Sequence, residues 1–126
     1  MDGTVGTRDE TTSNEAEEDN EDGPPRLTRK WLLDFFKKDW KNYYRTFELN
    51  ERLYLHYKGF NKLENMQLFP DLKCLYFEGN GLREMKGLET NAAMRTLNLH
   101  ENCIKKIEGI EHMDDLRTLQ LADNMI

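Results

Sequence analysis

From Leu53 to Ile126 the apolar residues return at a fixed interval of 22 positions. Leu75, Leu97 and Leu119 form one column, and Phe77, Leu99 and Leu121 a second. Leu72, Met94 and Leu116 keep the same step, as do Leu82, Ile104 and Ile126; Met85 pairs with Ile107 and Leu88 with Ile110. One polar column runs in phase: Asn80, Asn102, Asn124. One interval upstream, Leu53, Leu55, Phe60, Leu63 and Met66 are all apolar and make a fourth, earlier unit. In that unit Lys58 stands where the asparagine belongs, and Asn50 replaces the first leucine. Self-similarity at such a period marks a stacked architecture in which no unit can bury its apolar face alone.

The units read L-x-x-L-x-F-x-x-N-x-L at 72–82, M-x-x-L-x-L-x-x-N-x-I at 94–104 and L-x-x-L-x-L-x-x-N-x-I at 116–126, which is the leucine-rich-repeat consensus. The L-x-L core predicts a short strand whose alternate residues point into the core. The asparagine sits where the chain turns away, and its amide can satisfy backbone groups the bend leaves unpaired. The return half, such as Met85 to Ala93, carries spacing that fits short helical turns. The predicted fold is an α/β solenoid, with short parallel strands on the concave face and helical or 3-10 turns on the convex face. Lys58 is expected to weaken or reshape the first turn. The pattern stops partway through a unit at Ile126, so the chain reads as an N-terminal piece of a longer protein.

Upstream, Leu32, Leu33, Phe36, Trp40, Tyr43 and Tyr44 stripe one face of a predicted helix within Arg26–Arg45, with Thr28 as N-cap. Residues 26–52 carry eight basic and four acidic side chains. A basic amphipathic helix can bind membranes or calmodulin-like partners. A solenoid, however, needs a lid over its first unit, and an aromatic-rich helix just upstream fits that task. The expected domains are an acidic disordered tail at 1–25, a capping-helix region at 26–48 and about three and a half repeats at 49–126.

Charge sharpens this division. Residues 1–25 hold nine acidic side chains and one basic; residues 26–126 hold 17 basic and 15 acidic. The tail has almost nothing apolar to offset its ordering entropy. The near-neutral remainder argues against a dedicated nucleic-acid binder. No apolar run approaches the roughly 18–20 residues that span a bilayer, and the start has neither a basic nor an apolar signal region. With two cysteines, Cys74 and Cys103, and no glycosylation sequon, the chain reads as intracellular and reducing.

Solenoids of this kind bind proteins on the concave face, where the residues between the inward leucines project. They form three columns: Arg52, Cys74, Thr96, Thr118; Tyr54, Tyr76, Asn98, Gln120; and His56, Glu78, His100, Ala122. Tyr54 and Tyr76 stand out, because aromatic side chains are enriched at interface hot spots. A metal site in the third column is disfavoured: ligands must reach one point within about 2.0–2.3 Å, and the outer members of a flat column cannot. No serine follows Ser13, the cysteines form no CxxC pair, and Gly79-Asn80-Gly81 lacks the Lys-Ser/Thr of a phosphate loop. Catalytic, cofactor and metal residues are therefore expected to be absent. Lys73, Arg95 and Arg117 form a basic row at the same interval, which reads as a solvated edge.

The 22-residue repeat resembles the subclass found in the protein phosphatase-1 regulatory subunit. The run Leu53-Tyr54-Leu55-His56-Tyr57-Lys58-Gly59-Phe60-Asn61-Lys62-Leu63-Glu64-Asn65-Met66, together with residues 72–82, more specifically resembles the start of the leucine-rich-repeat axonemal dynein assembly factors of ciliated cells. The resemblance covers roughly residues 27–126. It implies a non-enzymatic factor, without cofactor, that preassembles dynein arms in the cytoplasm for delivery to cilia or flagella. It implies as partners axonemal dynein chains, chaperones and other assembly factors, with no nucleic acid and no membrane. The alternatives are a leucine-rich-repeat regulatory subunit of a phosphatase or a generic protein-interaction module.

Overall fold

Thr28 opens the first element. Its side chain accepts a hydrogen bond from the Trp31 amide at 3.0 Å, which satisfies one of the donors a helix start leaves free. The helix, α1, runs over Arg29–Lys38 and buries Leu32 and Phe36, with Lys37 and Lys38 in its last turn facing the negative end of the dipole. The computed structural model describes residues 23–126, so most of the acidic tail predicted for 1–25 lies outside the described residues.

The stripe from Leu32 to Tyr44 predicts a longer helix than exists. The chain leaves the helix at Asp39, and Asn42 closes a turn on it through a 3.0 Å backbone bond and a 2.8 Å side-chain bond. The turn stacks Tyr43 on Phe36, with ring centroids 4.9 Å apart. It leaves Trp40 and Tyr44, counted on the apolar stripe, exposed. The return has a specific reward, since the Tyr43 hydroxyl accepts from the Tyr54 amide at 3.0 Å. That amide belongs to the first strand of the sheet, so Tyr43 closes part of an edge that would otherwise offer unpaired donors.

Four three-residue strands follow: β1 (Arg52–Tyr54), β2 (Cys74–Tyr76), β3 (Thr96–Asn98) and β4 (Thr118–Gln120). They form one parallel sheet in the order β1-β2-β3-β4. Arg52, Cys74, Thr96 and Thr118 are successive partners, then Leu53, Leu75, Leu97 and Leu119, then Tyr54, Tyr76, Asn98 and Gln120. Leu53, Leu75, Leu97 and the next inward column, Leu55, Phe77 and Leu99, are fully buried. The result is an α/β chain with a small parallel sheet, compatible with a leucine-rich-repeat fold.

α1 and the turn after it pack aromatic rings against the first unit. Trp31 meets Phe60 edge-on at 4.8 Å, and Phe36 and Phe47 both meet Phe69. Such pairs add about 0.5–1.5 kcal/mol each beyond their burial. Lys58 has no ladder role. Its ammonium lies 5.4 Å from the Phe35 ring centroid on α1, while its amide is held by Asn80 of the next unit. Asn50 is buried and ties down the entry loop by bonding to the backbone of Tyr44, Thr46 and Phe47.

The returns are less helical than their spacing suggests. A 3-10 turn forms at Met66–Leu68. At 85–93 and 107–113 single backbone bonds remain, from Asn91 to Leu88 and from Met113 to Ile110, each 3.1 Å. Gly87 and Gly109 turn the chain into these returns at φ values of +105° and +73°. A Cβ there would fall 2.4 Å from the Leu63 carbonyl oxygen and 2.7 Å from that of Met85, so only glycine fits.

Candidate functional site

The strand positions between the inward leucines bring Tyr54 and Tyr76 side by side. Their rings stack with centroids 4.9 Å apart and planes 13° from parallel, and Tyr54 is 38% exposed. Arg52 projects beside them from an exposed position. A hydrogen bond to the Tyr54 side chain pushes its guanidinium further above its ordinary value. The Tyr76 phenol is also pushed up, first by burial and then by Cys74 and Tyr54. The stacked pair offers a flat aromatic shelf. Cys74 is a half-buried free thiol, Thr96 and Thr118 are half-buried, and Gln120 is exposed.

Asn98, expected on the same surface, does not present its side chain. It is buried, and its Oδ1 accepts from the His100 amide at 3.2 Å and lies 2.6 Å from His100 Nδ1. The other His100 nitrogen lies 3.3 Å from a Glu101 oxygen, and the Tyr57 hydroxyl donates to that same oxygen at 2.9 Å. His56 and Glu78 occupy adjacent rungs, and His56 Nδ1 and Glu78 Oε1 are enclosed without a hydrogen-bond partner among the described residues. Among the described residues no group of three or more His, Cys, Asp or Glu is placed to hold a metal ion.

Behind this face, Asn80, Asn102 and Asn124 repeat one bonding scheme. Asn102 donates to the carbonyls of Phe77 and Leu99, each at 3.0 Å, and accepts from the Leu82 amide at 3.0 Å. Asn80 serves Leu55, Phe77, Lys58 and Phe60, and Asn124 serves Leu99, Leu121 and Ile104. Each amide thus bonds its own unit and the unit before it, which fixes the spacing of the columns in front.

Three supports escaped the sequence reading. Tyr57, Gly79, Glu101 and Asp123 all hold positive φ, at 53°, 70°, 58° and 60°. They are 22 apart, but no shared side chain announces them. A Cβ on Gly79 would fall 2.0 Å from the Tyr57 ring, so this glycine is what lets Tyr57 cross to Glu101. Asn65, Gly87 and Gly109 form a second left-handed column, and residue types that tolerate this conformation at a fixed interval were a usable signal. Asn91 is fully buried and donates to the carbonyls of Met66 and Phe69 at 2.9 and 3.0 Å. Its signal was one polar residue in the otherwise apolar column Phe69, Asn91, Met113.

No protein-family model matches the chain. It is similar to proteins named Dynein axonemal assembly factor 1 over about half its length. It is 46% identical over 56 residues to the homolog from Drosophila erecta, a stretch covering 44% of this chain and 4% of that protein. It is 39% identical over 70 residues to the protein from Peromyscus californicus, covering 56% of this chain and 11% of the relative. With the Mus musculus protein the identity is 41% over 59 residues, covering 47% and 9%. The matched stretch is thus a small part of each relative's own length. The names of these relatives describe an assembly factor.

Proposed function

We propose that this chain is a leucine-rich-repeat solenoid segment that serves as a non-enzymatic protein-binding scaffold in the cytoplasmic preassembly of axonemal dynein arms. The observation that carries the reading is the similarity to dynein axonemal assembly factors, joined to a rigid face of stacked columns. On this reading residues 26–48 cap the solenoid, 49–126 form the repeats, and 1–25 are an acidic tail.

The geometry of the sheet supports this reading. Parallel strands about 4.8 Å apart set side chains in rows that match an extended or helical segment of a partner. The asparagine ladder holds those rows rigid, so little ordering entropy is lost on association. The Tyr54–Tyr76 shelf supplies flat apolar area with polar tips, the composition of a hot spot worth about 2 kcal/mol or more per truncated ring. Arg52, His56, Glu78, His100, Thr96, Thr118, Cys74 and Gln120 supply the surrounding polar contacts, and Asn98 sets the His100 ring. The partners on this reading are axonemal dynein chains, chaperones and other assembly factors, and the products are delivered to cilia or flagella. No helix of the described residues is long and apolar enough to cross a membrane.

Deleting the gene in a ciliated source organism tests the reading. The expected result is cilia of normal length lacking dynein arms by electron microscopy; normal arms contradict it.

A further inference from the structure

Two open grooves of about 540 and 610 Å³ lie on the side where the chain leaves the strands, and one repeat relates them. The first is walled by Asn61, Lys62 and Lys86, the second by Cys103, Lys105, Lys106 and Glu108, and Arg83 and Glu84 belong to both, so cations outnumber carboxylates in each. Lys86 is paired with Glu84 at 3.2 Å and Lys106 with Glu108 at 3.9 Å. Lys62, Arg83 and Lys105 are exposed and have no ion-pair partner among the described residues.

The described chain begins beside this row of cations. A Cβ on Gly59 would lie 3.5 Å from Pro25. Arg26 Nε meets Glu64 at 2.8 and 3.0 Å, and Asn65 donates to the Leu27 carbonyl at 2.8 Å. Residues 25–27 therefore lie against 59–65, and Asn61–Leu63 in the middle of that stretch are one wall of the first groove. Immediately before Gly23, residues 9–22 hold eight acidic side chains and no basic one.

We propose that the acidic segment 9–22 of this same chain docks along these grooves, its carboxylates facing Lys62, Arg83 and Lys105. Length permits it. An extended chain advances about 3.3–3.6 Å per residue, so residues 17–22 span roughly 20 Å. Two repeats advance only about 10 Å. Tethering places many carboxylates beside few cations at high effective concentration. The contact is polar and exposed, so salt weakens it steeply. The docked segment covers Cys103 and leaves the Tyr54–Tyr76 face open, and a partner reaching the groove must displace it.

Cys103 is a native reporter, because it lines the second groove while Cys74 lies on the sheet face. The test measures iodoacetamide alkylation of both thiols in the full chain by mass spectrometry, in dilute buffer and in 1 M NaCl. Two full-length variants accompany it. One carries Glu15→Gln, Glu17→Gln, Glu18→Gln, Asp19→Asn, Glu21→Gln and Asp22→Asn together; the other carries Arg83→Glu with Lys105→Glu. The proposal expects Cys103 to react about threefold faster or more in high salt and in both variants, with Cys74 unchanged. Equal Cys103 rates in the wild type and both variants overturn it. Carbodiimide cross-linking of mixed ¹⁴N and ¹⁵N protein identifies the occupant. Cross-links from Lys62 or Lys105 to residues 9–22 within one copy support the proposal; cross-links only between copies overturn it in favour of a second copy's tail.

Discussion

Replacing Asn102 with alanine removes the middle rung of the asparagine ladder. The side chain is 7% exposed and serves three backbone groups at 3.0 Å: the Phe77 and Leu99 carbonyls and the Leu82 amide. Leaving a buried backbone group unpaired costs about 1–3 kcal/mol. Water entering the vacated space recovers part of this, so the low end of the range applies to each group and the sum is about 3 kcal/mol. That is a large share of the roughly 5–15 kcal/mol that holds a small domain together. Asn124 makes the same three kinds of bond at a half-exposed position. Water replaces them more readily there, and Asn124→Ala costs about 1 kcal/mol. Urea unfolding followed by far-UV circular dichroism measures both. With a slope near 2 kcal/mol/M, Asn102→Ala lowers the midpoint by roughly 1.5 M and Asn124→Ala by about 0.5 M. Equal losses in the two variants, or a loss below about 1 kcal/mol for Asn102→Ala, refute the argument that burial of the ladder sets its worth.

Three further outcomes follow from the same contacts. Gly79→Ala forces a left-handed alanine, costs about 1–2 kcal/mol and expels the Tyr57 ring from its path to Glu101. Combined with Tyr57→Ala its cost is smaller than the sum, and additive losses in a double-mutant cycle contradict the clasp. Tyr43→Phe leaves the Tyr54 amide without its acceptor, so amide exchange at Tyr54 accelerates about tenfold or more; an unchanged exchange rate refutes the edge-sealing role. Burial raises the Tyr43 phenol above its ordinary value of 10.0. The stability it contributes is therefore intact below pH 10 and lost as pH rises through the raised value. The urea midpoint should fall above pH 10, and fall less steeply in Tyr43→Phe; identical slopes contradict the assignment.

The strand positions were legible because they rest on side chains of one kind at one interval. Leu53, Leu75, Leu97 and Leu119 announce a column whatever stands between them. Supports that rest on backbone conformation were not legible in this way. Tyr57, Gly79, Glu101 and Asp123 share a left-handed φ but no chemistry, since short-range turn geometry tolerates different side chains there. The end of α1 was hidden for the opposite reason. Trp40, Tyr43 and Tyr44 continue the apolar spacing of a helix, yet only Tyr43 is buried, because stacking on Phe36 and capping β1 outweigh another turn of helix. On the candidate face, strand alternation placed Tyr54 beside Tyr76, while Asn98 folded down onto His100. An amide two residues from an imidazole on one strand face can always bond inward, and only the structure decides.

Binding of dynein-arm components through the Tyr54–Tyr76 face is the function we propose. It is tested most directly by quantitative pull-down of axonemal dynein chains from ciliated-cell cytoplasm with the full chain, against the folded variant Tyr54→Ala with Tyr76→Ala. The expected result is recovery of dynein chains with the wild type and a loss of about tenfold or more in the variant. Equal recovery by the two proteins contradicts it, as does recovery of a phosphatase catalytic subunit in place of dynein chains.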